Sequence, residues 1–233
     1  MTTHARARQP HQPPQVRPRL LAPRGVYAPQ YDTDLLLRAL GEEQVGPRTD
    51  VLDLGTGTGA LAVAAARLGA RVTAVDRSWR AVWTARLNAR INRTTVTVRH
   101  GDLCASFTPG SFDLIVSNPP YVPAPSPLVP RTGPARAWDG GLDGRAVVDR
   151  VCDAAPRALR PGGVLLMVHS ALCDASASLR RLTGLGMDAA VIDKAHVPFG
   201  PVLRERRDWL CEQGLMDADA TLEELVVIRA ELR

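Results

Sequence analysis

Seven short apolar runs alternate along this chain with segments of helical periodicity, and that alternation constrains its fold more than any other feature. Strands are expected at 49–55, 71–76, 95–102, 112–118, 163–169, 187–193 and 223–232. Helices fit at 59–68, 78–91, 144–159 and 174–184. An earlier helix fits "YDTDLLLRALGEE", where Leu35, Leu36, Ala39 and Leu40 share one side. "PGG" at 161–163 reads as a stop before the fifth strand, and "PVLRERRDWLCEQGL" as one extra helix before the last. Strands joined through helices run parallel, so the expected fold class is α/β: a doubly wound, seven-stranded, mostly parallel sheet with helices on both faces. No internal repeat is visible, and a single domain is expected over 25–233.

Residues 1–24 carry five Pro and five Arg with no acid and little that could form a core, so they read as a flexible tail. They also hold the whole charge excess. The net charge is +5, and without Arg6, Arg8, Arg17, Arg19 and Arg24 the basic and acidic residues are equal in number. Bulk charge therefore gives no support for a nucleic-acid surface. Cys104, Cys152, Cys173 and Cys211 are scattered, which indicates neither a zinc site nor a disulfide framework, only reduced and mostly buried thiols. With no signal-like or membrane-length apolar run, a cytoplasmic location is expected.

"VLDLGTGTGAL" puts Gly55, Gly57 and Gly59 at the carboxyl end of the first strand, where doubly wound sheets bind nucleotides. The spacing is GxGxG, not the GxGxxG of the dinucleotide fingerprint. Asp53, two residues before the first glycine, is a poor neighbour for pyrophosphate. It suits a ligand bearing an ammonium group, such as S-adenosylmethionine, and small glycines let such a ligand approach the backbone. Asp76 closes the second strand, where a carboxylate can accept both ribose hydroxyls. Asp102 follows the third and could accept from an adenine amino group. Each acid alone could equally be a helix cap; three at successive strand ends beside a glycine loop favour the cofactor.

The fourth strand stops abruptly at Asn118-Pro119-Pro120-Tyr121. Two prolines fix the backbone there, so the Asn118 side-chain oxygen and the Pro119 carbonyl are two preset acceptors for the N–H groups of a planar –NH2. Tyr121 can stack on that group. A planar nitrogen is a weak nucleophile, and orienting it is the main help an enzyme can give. The Pro-rich run that follows, 122–141, is long for a connection and reads as a lid or substrate rim. An adenine-N6 methyltransferase, an N-methyltransferase of a small molecule or peptide, and a non-catalytic binder of the same cofactor are the competing readings.

D-L-G-T-G-T-G followed by N-P-P-Y resembles the class I S-adenosylmethionine-dependent amino-methyltransferases, and within them the HemK/PrmC-type protein-(glutamine-N5) methyltransferases. "VYAPQYDTDLLLRAL" (26–40) and "AWDGGLDGRAVVDR" (137–150) add to the resemblance. It implies that the last strand inserts antiparallel, and that Thr33, Asp53, Gly55, Gly57, Gly59, Asp76, Asp102 and Asn118 serve the cofactor. It implies that Asn118, Pro119 and Tyr121 serve the acceptor, the Gln of a GGQ tripeptide in a peptide-chain release factor. Bacterial members of the family usually carry an N-terminal helical bundle that grips the release factor, whereas only about 25 ordered residues are expected here before the first strand. The chain looks more like the short type that works with a small zinc-binding activator subunit, for which the third strand would be an exposed edge.

Overall fold

A computed structural model describes residues 18–103 and 107–233 of the chain. In chain order the elements are α1 (Tyr31–Glu42), β1 (Asp50–Leu54), α2 (Ala60–Arg67), β2 (Arg71–Asp76), α3 (Trp79–Ile91), β3 (Val96–His100), β4 (Phe112–Ser117), α4 (Arg145–Ala158), β5 (Leu159–Ser170), α5 (Ala175–Gly184), β6 (Met187–Pro198), α6 (Pro201–Glu205), α7 (Arg207–Glu212) and β7 (Leu222–Leu232). The strands form one sheet in the order β3-β2-β1-β4-β5-β7-β6. β1 to β5 pair in parallel, and β7 inserts antiparallel between β5 and β6.

The core sits on both faces of this sheet, because helical crossovers cover each side and leave the central strands dry. Leu52, Leu54, Ile115, Leu165 and Leu166 are fully buried, each stabilising the fold by roughly 1.5–3 kcal/mol. β1 is where the winding reverses: β2 and β3 lie on one side and β4 on the other. A crevice opens at the carboxyl ends of the strands at such a point.

Three elements differ from the sequence expectation. β5 begins at Leu159, before "PGG". Phe112 pairs with Leu159 and Leu114 with Val164, so Pro161 to Gly163 form a bulge inside the strand rather than a stop before it. β6 runs five residues beyond its expected end because β7 offers it a partner as far as Pro198 opposite Leu222. The expected single helix at 201–215 is two short helices that break at Arg206. They fold over a small cluster of their own, Phe199, Leu203, Leu210 and Met216.

Residues 1–17 of the expected tail, and Cys104, lie outside the described residues. The described remainder of that tail is laid along α3. Arg19 and Leu21 donate their N–H groups to the Asn92 and Asn88 side-chain oxygens, and the two amide nitrogens return bonds to the carbonyls of the same residues. Cys152 and Cys173 are buried free thiols.

Candidate active site

The glycine loop leaves β1 and is laced to the end of β2. Gly55 and Thr56 donate their N–H groups to the Val75 carbonyl at 2.9 and 3.0 Å. Gly57 donates to Asp76 Oδ2 at 2.9 Å. Gly55 and Gly57 have φ of +74° and +53°, a region that suits glycine. A Cβ on Gly55 would meet no protein atom within 4 Å, so it would project into open space. That space is a cavity of about 210 Å³ lined by the loop, Asp76, Asp102, Thr33 and the Asn118–Tyr121 segment. The donor set suits an adenosyl ligand without phosphate: bare backbone at the loop and carboxylates at the ends of β2 and β3.

Two of the expected cofactor residues are not on the cavity wall. Asp53 is 1% exposed beneath the loop, where Oδ2 accepts from the Thr56 hydroxyl at 2.5 Å and the Ala62 N–H at 3.1 Å. It holds the turn closed from behind. Burial pushes its carboxyl up to about 7, against the lowering effect of those two hydrogen bonds. Gly59, with φ of +83°, is needed for packing: a Cβ there would lie 3.1 Å from Cα and Cβ of Ala85 on α3.

Asp76 and Asp102 both line the cavity but differ in their surroundings. Asp76 accepts backbone N–H groups from Gly57 and Ser78, and burial raises its pKa. Asp102 is half-exposed and pairs with Arg150 of α4 at 2.8 Å, with Arg77 at 3.8 Å. The 122–141 loop, which also lines the cavity, is pinned at its base. Val122 N–H donates to the Trp138 carbonyl, Gly140 N–H to the Val122 carbonyl and Ala124 N–H to the Gly141 carbonyl. Val129, Pro130, Arg131 and Trp138 of this loop line the cavity.

Asn118 stands one residue past the end of β4, at the crevice. Its Nδ2 donates to Asp32 Oδ2 at 2.9 Å and lies 3.4 Å from Thr33 Oγ1, while its Oδ1 accepts nothing from the described residues. Thr33 is thus brought beside Asn118 on the cavity wall. The Tyr121 ring is mostly buried, and its hydroxyl donates to Asp32 Oδ2 at 3.0 Å. The neighbouring Tyr27 hydroxyl donates to the same oxygen at 2.7 Å. Burial, reinforced by the Asp32 charge, pushes both phenols well above the ordinary tyrosine range, so both stay donors.

Sequence reasoning missed Asp32, the residue that joins Asn118, Tyr121 and Tyr27. Its only local signal was an acid in the first turn of α1, a place where acids are favoured for the helix dipole alone. It also missed two supports behind the segment. The Cys173 thiol donates to the Tyr121 carbonyl. Arg206, in the break between α6 and α7, donates to the Pro123 carbonyl and pairs with Asp139 at 2.7 Å.

Residues 19–126 match the family model described as the methyltransferase small domain. A putative protein N5-glutamine methyltransferase of Methanocaldococcus jannaschii is 35% identical over 175 residues, 75% of this chain and 87% of that protein. A release factor glutamine methyltransferase of Mycolicibacterium smegmatis is 42% identical over 154 residues, 62% of this chain and 54% of the relative. The chain spans about half the length of the bacterial release factor enzymes it matches. Among solved structures, the E. cuniculi Mtq2–Trm112 complex, described as responsible for methylation of the eRF1 translation termination factor, superposes with a TM-score of 0.63. It is 25% identical and covers 90% of this chain and 99% of that one.

Proposed function

The chain belongs to the HemK/PrmC-type protein-(glutamine-N5) methyltransferase family, and on that premise we propose that it methylates the side-chain nitrogen of the Gln in a release factor's GGQ tripeptide. The observation that carries this reading is the state of Asn118: its nitrogen is tied back to Asp32 and its oxygen is left unclaimed beside a cavity. An unclaimed amide oxygen next to the Pro119 carbonyl accepts the two N–H groups of a primary amide.

S-adenosylmethionine supplies an electrophilic methyl group on a sulfonium. The chain's own part is to bind and orient. Gly55 and Gly57 leave the backbone bare for close approach, Asp76 offers a carboxylate to the ribose hydroxyls, and Asp102 lies at the adenine end. Asn118 and Pro119 hold the acceptor nitrogen by its hydrogens, which leaves its lone pair facing the cavity. Such orientation is worth roughly 7–11 kcal/mol in favourable cases. The 122–141 loop forms the rim the substrate passes. On this reading the enzyme works where release factors work, in the cytoplasm; among the described residues no helix is long and apolar enough to cross a membrane.

A partner subunit is part of the same proposal. Among the described residues β3 is an edge strand, with its outer side unpaired in the sheet. Beside it α3 exposes Trp79, Trp83, Leu87 and Ile91 at four-residue spacing, each more than 40% accessible. Large apolar side chains in one continuous row are the usual mark of a docking surface. The occupant proposed is a small zinc-binding activator that adds a strand to β3 and covers this row.

The test is methyl transfer from labelled S-adenosylmethionine to a release factor, with its Gln→Ala variant and single- and double-stranded DNA as controls. Label on the Gln of the release factor alone is expected. Label on DNA but not on the release factor overturns the assignment in favour of adenine.

A further inference from the structure

We propose that Asp32 is a positioning residue that fixes which end of the Asn118 amide meets the acceptor, and so makes the site select an amide over a carboxylate. This rests on the reading of a Gln acceptor and names what sets its specificity.

The two ends of an Asn side chain have nearly the same shape, and what decides their orientation is the hydrogen-bond partner. Asp32 is 2% exposed at the start of α1. Its Oδ2 faces three donors: the Tyr27 hydroxyl at 2.7 Å, Asn118 Nδ2 at 2.9 Å and the Tyr121 hydroxyl at 3.0 Å. Its Oδ1 accepts from the Thr33 N–H at 2.6 Å, with the Thr33 hydroxyl at 3.3 Å. A carboxylate only accepts, so the end of Asn118 that meets it must be –NH2. The amide oxygen is thereby the free end.

A Gln side chain offers N–H groups to that oxygen. A Glu side chain of the same shape offers only oxygens, and its charge would be buried against like partial charge. Without Asp32 the amide is free to turn over. It would then present –NH2, repel the Gln nitrogen and welcome a carboxylate. The two tyrosines pin Asp32 in turn, so the setting depends on four side chains from α1, the segment before it and the end of β4.

The experiment uses the full chain with Asp32→Ala and Asp32→Asn. Binding of release factors bearing Gln or Glu at the acceptor position is measured with S-adenosylhomocysteine present. The wild type is expected to prefer Gln by about tenfold or more, the scale of leaving one buried polar group unsatisfied. Asp32→Ala should erase or invert that preference while S-adenosylmethionine affinity stays within about threefold, and kcat should fall by about 10²-fold, as for a misplaced acceptor. Asp32→Asn has one oxygen for the work of two and should fall between.

A folded Asp32→Asn or Asp32→Ala variant that keeps the wild-type preference overturns the proposal. A second readout does not depend on the substrate. The Asn118 side-chain –NH2 resonances, assigned by their loss in Asn118→Ala, should exchange slowly with solvent in the wild type and quickly in the Asp32 variants. If the wild type ignores release factors, the functional reading fails, and these resonances still decide the role of Asp32.

Discussion

Trp79 of α3 lies flat on His100 of β3, with ring centroids 4.2 Å apart and planes inclined by 1°. The stack joins the apolar row of α3 to the open edge of the sheet, and Arg86 adds to it by reaching over the Trp83 ring and donating to the Val98 carbonyl. The row costs exposure to water and adds little to the core. Trp79→Ala with Trp83→Ala should therefore leave the fold intact, with little change in melting temperature. Affinity for the proposed activator subunit should drop by more than about 30-fold, the scale of an interface hot spot. Co-purification of the double variant with the subunit at wild-type yield would remove this face from consideration.

Gly55 and Gly59 both have positive φ, but a side chain would meet different surroundings at each. Either Ala substitution costs about 1–2 kcal/mol in backbone strain. At Gly59 the new methyl also presses on Ala85, so Gly59→Ala should be the more destabilised by urea unfolding. At Gly55 the methyl has open space and projects into the cavity proposed for the cofactor. Gly55→Ala should lose cofactor affinity by a larger factor than Gly59→Ala, as measured by calorimetry.

Asp53 acts from behind the loop, so its removal should slacken the turn as well as weaken binding. Asp53→Ala leaves the Thr56 hydroxyl and the Ala62 N–H without their acceptor, at about 1–3 kcal/mol for an unsatisfied buried group. Both melting temperature and cofactor affinity should fall. An affinity loss with unchanged stability would instead mean direct contact with the ligand.

Glu223, at the start of β7, is buried, and burial pushes its carboxyl up to about 7, with the Asp32 charge adding to the rise. A carboxyl whose folded pKa is raised favours the folded state below its unfolded value, and that contribution is lost as pH climbs from about 4.5 to 7. His169, held neutral by burial with a pKa near 4, acts in the opposite sense over part of this range. The wild-type profile alone therefore hides both. The stability of Glu223→Gln relative to wild type should rise by up to about 3 kcal/mol between pH 4.5 and 7, and a flat difference would show that Glu223 does not titrate there.

How much was legible in the sequence followed from how local each cause was. The glycine loop, the acids Asp76 and Asp102 and Asn118-Pro119-Pro120-Tyr121 are short motifs recognisable from their own residues, and the structure brings them to one crevice. The true length of β6 depends on β7, a partner some thirty residues on, so periodicity at 187–193 could not reveal it. "PGG" carried a genuine turn signal, but neighbours on both sides kept the strand going around it as a bulge. Asp32 was illegible because its meaning lies in Asn118 and Tyr121, 86 and 89 residues away. Asp53 and Gly59 were found for their motif, yet their surroundings give them packing and loop-closing work behind the cavity wall.

The most direct measurement is mass spectrometry of a release factor after incubation with the enzyme and S-adenosylmethionine, beside the Asn118→Ala enzyme. The account predicts one added methyl group on the GGQ glutamine with the wild type. With Asn118→Ala it predicts a rate lower by about 10²-fold or more. An unmodified glutamine, or equal rates from the two enzymes, would contradict it.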